Sequence, residues 1–216
     1  MKTLVCIGGQ GPTQAWCAPF IQGTNLIIAA DSGLSTALSL GLSPHWIIGD
    51  MDSLQDSNLL ASFPPERILR YPADKDYTDT ELACMFAWEQ GAEELILLGG
   101  GEGRTDHSLA LISLFERPRY PDLWITGQEL IFIGDGEHPR HQRFTLSFIE
   151  NTLVSVFPVG MGPWRITSRG LKWPLDDYPW QRGLFGISNR VSQSPATLEV
   201  EEGRFLIFVL PSEGAS

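Results

Sequence analysis

The chain has 216 residues, 43% of them hydrophobic, and a formal net charge of −11. That length holds one large domain or two small ones, and the apolar share excludes wholesale disorder. The acidic balance argues against sequence-independent nucleic-acid binding, which needs basic surface, but leaves room for an anionic small substrate held by a metal ion and a few placed cations.

Residues 4–7 read as a first buried strand running into Gly8-Gly9-Gln10-Gly11-Pro12, with a helix over 15–21 behind it. This glycine cluster fits a phosphate cradle or a tight strand-to-helix turn equally, and it lacks the G-x-G-x-x-G spacing. Leu26–Ala30 reads as a second strand, ending in Asp31-Ser32-Gly33, and a helix then runs to residue 40 and stops at Gly41. A third strand over 46–48 leads into Gly49-Asp50-Met51-Asp52-Ser53. Phe63-Pro64-Pro65 breaks the chain before a short strand over 68–71. Asp74-Lys75-Asp76-Tyr77-Thr78-Asp79-Thr80-Glu81 opens a helix to residue 90, with Thr78 and Glu81 at the spacing of a capping box. A strand over 95–98 ends in Gly99-Gly100-Gly101-Glu102-Gly103-Arg104-Thr105-Asp106-His107, followed by a helix to residue 115.

Short apolar strands alternating with helices predict a parallel sheet whose ligands bind outside the strands' carboxyl ends. Asp31, Asp50, Asp52 and Asp106 fall on that rim, and Asp79 begins a helix that faces it. Two aspartates just past a strand suit a divalent cation with oxygen ligands, Mg²⁺ foremost, and Mg²⁺ points to a phosphate substrate. The competing reading is an ordinary turn. Lys75 beside a helix start makes a phosphate grip, while the capping box explains Thr78, Asp79 and Glu81 with no ligand. Gly99 to Gly103 offers backbone N–H groups ahead of a helix, and Arg104 offers two hydrogen bonds to a phosphate or is a solvated surface arginine. His107 reads as a helix-surface or packing residue.

Near residue 120 the pattern changes. Leu123–Ile125, 130–133, 144–148, 153–157 and 205–210 read as strands separated by glycine-rich turns, with no helical period between them. The expected architecture is an α/β N-terminal domain with a mostly parallel sheet over residues 1–130. A smaller antiparallel β-sandwich or roll domain over 131–216 follows it. Cys6, Cys17 and Cys84 form no Cys-x-x-Cys pair and read as reduced thiols of a cytoplasmic protein. The apolar part of the N-terminal stretch is too short for a secretory signal, and no apolar run is long enough for a membrane span.

Taken together, Gly49-Asp50-Met51-Asp52-Ser53, Asp74-Lys75-Asp76-x-Thr78-Asp79-x-Glu81 and Gly103-Arg104-x-Asp106-His107 resemble the three motifs of the thiamine pyrophosphokinase family. Ala30-Asp31-Ser32-Gly33 resembles its earlier Ala-Asp-Gly motif, with Ser32 where the family usually has glycine. Gly170-Leu171-Lys172-Trp173-Pro174-Leu175 and Gly186-Ile187-Ser188-Asn189 resemble its thiamine-domain motifs. The resemblance implies an α/β catalytic domain that binds nucleotide and Mg²⁺, a thiamine-binding β domain, and a homodimer with the active site at the subunit interface. It implies Mg²⁺-dependent transfer of diphosphate from ATP to the thiamine hydroxyl, releasing AMP.

By motif position, the resemblance implies Asp50, Asp52 and Asp79 as metal-binding and catalytic acids, with Asp106 a further catalytic acid. Asp31, Lys75, Asp76, Thr78 and Arg104 would line the nucleotide and thiamine site, and Trp173, Ser188 and Asn189 would lie near thiamine. Trp173 fits β-domain core at least as well. The competing functions are a pyrophosphokinase acting on a pterin-like alcohol, a nucleotide- or metabolite-sensing module without turnover, and an Asp-x-Asp phosphatase.

Overall fold

Leucine, isoleucine and valine runs form the first strands because their sheet carries helices and is buried on both faces. The computed structural model describes residues 1–52 and 57–210, so Ser53 of the Asp-x-Asp motif lies outside the described residues. Two units divide the chain: Met1–Leu114 with Trp124–Gly127, and Phe115–Leu123 with the chain from Gln128 onward.

In the first unit, β1 (Lys2–Cys6), β2 (Leu26–Ala30), β3 (Trp46–Gly49), β4 (Ile68–Arg70) and β5 (Glu94–Leu98) are parallel neighbours. Their order is β4-β3-β2-β1-β5, with β6 (Leu123–Ile125) beyond β5. Four α-helices are described: α1 (Gln14–Ile21), α2 (Gly33–Ser39), α3 (Asp79–Glu89) and α4 (Thr105–Leu114). Two 3-10 turns, Ser57–Ser62 and Pro65–Arg67, precede β4. Leu4, Ile28, Ile47, Ile96 and Leu97 are almost completely buried, and each such side chain contributes about 1.5–3 kcal/mol of hydrophobic stabilisation. β1 pairs with β2 on one side and β5 on the other, so the strand order reverses there. A crevice opens outside the carboxyl ends of strands at such a reversal.

The second unit contains two antiparallel sheets. One has the order β11-β9-β13-β7, from β7 (Leu130–Asp135), β9 (Leu153–Val159), β11 (Gly186–Arg190) and β13 (Arg204–Leu210). The other is β10-β12-β8, from β8 (Arg143–Leu146), β10 (Arg165–Arg169) and β12 (Ala196–Glu202). They pack face to face where Gly134 of β7 meets Val200 of β12; a Cβ at 134 would come within 2.6 Å of the valine. The α/β-then-antiparallel architecture is the expected one.

β10, β11 and β12 are strands that the sequence reading passed over. β12 does carry the strand period, with Ala196, Leu198 and Val200 buried and Thr197, Glu199 and Glu201 outward, but its charged face conceals it. All three cysteines are buried and none is in a disulfide, and burial together with the neighbouring Cys17 pushes the Cys6 thiol up to about 12. Among the described residues, no helix is long and apolar enough to cross a membrane.

Candidate active site

Two glycine-rich loops meet beside the strand reversal. Gly100 N–H donates to Gly8 O at 2.7 Å, and Gln10 and Gly101 exchange backbone hydrogen bonds of 2.6 and 3.2 Å. Gly99 N–H donates to Ile125 O at 2.9 Å. The N–H groups of Gly99, Gly100 and Gly101, read from sequence as a phosphate cradle, are therefore spent inside the fold. The loop's free reach toward a ligand begins at Glu102.

These loops border a cleft of about 390 Å³, a size suited to a small ligand. Asp31 and Ser32 after β2, Thr78 and Asp79 at the start of α3, and Arg104 and His107 around the start of α4 all line it. Ile7, Leu111 and Leu114 add an apolar wall. His107, read from sequence as a surface or packing residue, therefore faces the cleft.

Three carboxylates converge at its edge. One oxygen each from Asp31, Asp50 and Asp79 lies within 4.8 Å of the others. The backbone arranges this. Asp31 has φ 46, a left-handed turn that aspartate tolerates better than most residues, and is 5% exposed. Gly49, just before Asp50, has φ 148, and a Cβ there would sit 3.0 Å from Asp79 Cγ and 3.1 Å from Asp31 Cβ. Glycine at this position lets the three acids close over β3 without strain or crowding.

Lys75 crosses into the cluster, its Nζ donating to Asp50 Oδ2 at 2.8 Å and lying 3.1 Å from Asp79 Oδ1. The hydrogen bond from Lys75 holds the Asp50 carboxyl below the usual carboxylate range. Burial pushes Asp79 up despite the same lysine. Burial alone would lower Lys75, but its hydrogen bonds to Asp50 and Asp79 outweigh that and raise it. Asp31 Oδ1 is buried and accepts no hydrogen bond, and Asp79 Oδ1 is buried with only the ammonium beside it. A buried carboxylate oxygen with no donor, Asp31 Oδ1, grouped with two further carboxylates, fits a hard divalent cation.

Asp52 stands outside the trio: its side chain is exposed, and its N–H donates to Asp50 Oδ1 at 3.2 Å. Asp76 is also exposed. Thr78 Oγ1 accepts from Glu81 N at 3.2 Å and Glu81 Oε2 accepts from Thr78 N at 2.7 Å, so the capping box is real and fixes the start of α3. The cap and the site share these residues, because an acid in the first turn of α3 serves both the helix dipole and the cluster. Arg104 Nε and Nη2 donate to Asp106 Oδ1 and Oδ2 at 3.1 and 2.6 Å, a fork-to-fork pair with both side chains well exposed. An exposed pair of this kind is held weakly, which leaves the guanidinium available to an anion.

The remaining predicted residues belong to the second unit. Asn189 is 5% exposed and clasps the backbone of Trp173, its Oδ1 accepting from Trp173 N at 3.1 Å and its Nδ2 donating to Trp173 O at 2.6 Å. Trp173 itself is 51% exposed, with Lys172 Nζ 4.5 Å from its ring centre, so it is a surface aromatic and not core. Ser188 is exposed at φ 59, and its N–H donates to Ser155 Oγ at 3.2 Å.

Residues 17–126 match the family model of the thiamin pyrophosphokinase catalytic domain, and residues 141–205 match that of the thiamin pyrophosphokinase vitamin B1 binding domain. The chain belongs to the thiamin pyrophosphokinase family. A thiamine pyrophosphokinase of Bacillus subtilis (strain 168) is 27% identical over 214 residues, covering 94% of this chain and 96% of the relative. A thiamin pyrophosphokinase of Caenorhabditis elegans is 26% identical over 183 residues, covering 79% of this chain and 71% of its own. The fold agrees. The crystal structure of the Bacillus subtilis thiamine pyrophosphokinase superposes with a TM-score of 0.78 at 22% identity, over 98% of this chain and all of that one. The Geobacillus thermodenitrificans thiamin pyrophosphokinase gives a TM-score of 0.74 at 25% identity, over the whole of both chains.

Proposed function

We propose that the protein transfers the diphosphate group of ATP to the hydroxyethyl oxygen of thiamine, giving thiamine diphosphate and AMP. The observation that carries this reading is the convergence of Asp31, Asp50 and Asp79 beside a cleft, in a chain of this family. We assign the cation they fit as Mg²⁺, with Asp52 supporting it from the adjoining turn. Bound there, Mg²⁺ neutralises charge on the phosphate oxygens during transfer. Lys75 and Arg104, on two different loops, grip further oxygens. Such a distributed grip suits a polyphosphate whose bond between the α- and β-phosphates must break. Asp106 holds Arg104 at the mouth of the cleft, Thr78 and Asp76 border the phosphates, and the apolar wall of Ile7, Leu111 and Leu114 suits a flat organic group.

We assign residues 1–130 to nucleotide and Mg²⁺, and residues 131–216 to thiamine, through Trp173, Ser188 and Asn189. The match of residues 141–205 to a vitamin B1 binding domain supports thiamine over a pterin-like alcohol. The retained acids support turnover over ligand sensing. Exposed apolar side chains on the second unit, Trp173, Phe185 and Ile187, support a homodimer with its active sites at the subunit interface. Buried thiols outside any disulfide suit the cytoplasm.

The test follows ATP labelled at its β-phosphate, with thiamine and Mg²⁺. Joint transfer of the β- and γ-phosphates with AMP as co-product is expected. ADP with thiamine monophosphate, or turnover of a pterin alcohol in place of thiamine, refutes the assignment.

A further inference from the structure

The loop between β5 and α4 carries an acid where phosphate binding alone calls for none. Beyond Gly99, Gly100 and Gly101, whose N–H groups are spent, Glu102, Gly103 and Arg104 face the cleft. Glu102 has φ 61, a left-handed backbone that glutamate adopts rarely, in a run where every neighbouring position from 99 to 103 is glycine. Strain of this kind collects at functional positions. The Glu102 side chain is exposed and borders the same cleft as Asp31 and Asp79. Arg104, the cation of this loop, is in an exposed pair with Asp106, and among the described residues no hydrogen bond or ion pair joins it to Glu102.

A bare polyphosphate entering the cleft meets the Glu102 carboxylate as a like charge. A polyphosphate that arrives with a divalent cation brings positive charge of its own and is opposed far less. A carboxylate so placed selects between two forms of one ligand by penalising the wrong one. Asp31, Asp50 and Asp79 oppose a bare anion too, but they are the cation's own candidate ligands. Glu102 sits on a separate loop, and removing it leaves those three in place. We infer that Glu102 is a specificity residue that makes polyphosphate binding in this cleft conditional on a divalent cation. The inference rests on the reading of the cleft as the ATP phosphate site.

The test is calorimetric titration of inorganic pyrophosphate into wild type, Glu102→Gln and Glu102→Gly, with and without Mg²⁺. The glutamine keeps the backbone strain and removes the charge, whereas the glycine removes both. Both variants are expected to bind the bare anion about fivefold more tightly than wild type, the effect of one unit charge a few ångströms away in a wet site, with the Mg²⁺ complex changed less than about twofold. Equal tightening of both forms, no change in either, or a gain confined to Glu102→Gly overturns the inference and leaves the ATP-site reading standing. Wild type that binds pyrophosphate under neither condition overturns that reading and the inference with it.

Discussion

Gly49 builds the acid cluster more directly than any acid does. Its φ of 148 strains any other residue there, and a Cβ 3.0 Å from Asp79 would have to push that carboxylate aside. Gly49→Ala is therefore expected to push Asp31 and Asp79 apart, costing about 1–3 kcal/mol of stability and raising the Mg²⁺ concentration for half-maximal AMP formation. Asp50→Asn or Asp79→Asn is expected to cut turnover by about 10²-fold or more, as lost charge stabilisation at a transferring phosphate does. Both variants should keep the wild-type circular dichroism spectrum, because like charges in the cluster repel one another. Near-normal turnover of both at low Mg²⁺ would remove the metal assignment. Of the five non-glycine residues with positive φ among the described residues, Asp31, Met51 and Ser188 lie in the predicted motifs, Glu102 lies in the glycine-rich run just before one, and Asn151 is outside them. Of these, Asp31 and Glu102 line the cleft.

At the scale of elements, α3 ties stability to the site. Its capping box orients the first turn, and that turn presents Asp79 to Lys75 and to the other acids. Thr78→Ala removes the cap from the Glu81 amide and is expected to cost about 1 kcal/mol, read as a lower urea midpoint with unchanged slope. Turnover should fall with it, since that turn aims Asp79, the partner of Lys75; a stability loss with full activity would separate the cap from the site. In the second unit, Asn189 has a structural role of its own, clasping the Trp173 backbone to β11. That clasp sets the position of Trp173 in the thiamine-domain motif.

For the molecule as a whole, Asp135 anchors a charged network in the second unit. Its Oδ2 accepts from Tyr120 Oη at 2.6 Å and from Arg204 Nε at 2.8 Å, and its Oδ1 accepts from Glu137 N at 2.9 Å. Burial alone would raise this carboxyl, but those hydrogen bonds outweigh it and hold it below the usual range. A depressed folded-state value adds stability that is complete above the unfolded carboxylate pKa of about 3.9 and is lost as pH falls through the lower folded value. Asp135→Asn is expected to cost about 3 kcal/mol near neutrality, because Arg204 loses its charge partner. The gap to wild type should narrow as melting is followed down to pH 3; a gap constant with pH would show that the charge is not what matters. The proposed shared active site makes a second whole-molecule prediction. Verified heterodimers of Asp50→Asn and Trp173→Ala chains, each inactive alone, should regain activity through one intact site, and continued inactivity would refute sharing.

The sequence by itself determined the strands and helices of the first unit and the α/β-to-β order, and it singled out the acids at the strand ends. Short apolar runs and loop-forming glycines are local signals, and Leu26–Ala30 and Leu123–Ile125 were legible to the residue. It also carried the family, because several motifs in a fixed order are far more specific than any one of them. Tertiary structure alone decided which acids meet. Asp-x-Asp spacing groups Asp50 with Asp52, yet the turn at Met51, with φ 67, breaks the extended chain on which that reading depends. Parallel pairing of β2 with β3 instead brings Asp31 beside Asp50, and α3 delivers Asp79 from 29 residues further along the chain than Asp50. The spent amides of Gly99 to Gly101 were equally hidden, because their partners Gly8, Gln10 and Ile125 lie on other loops and strands. Distances between residues far apart in sequence are set by sheet order and close packing, and no local pattern encodes them.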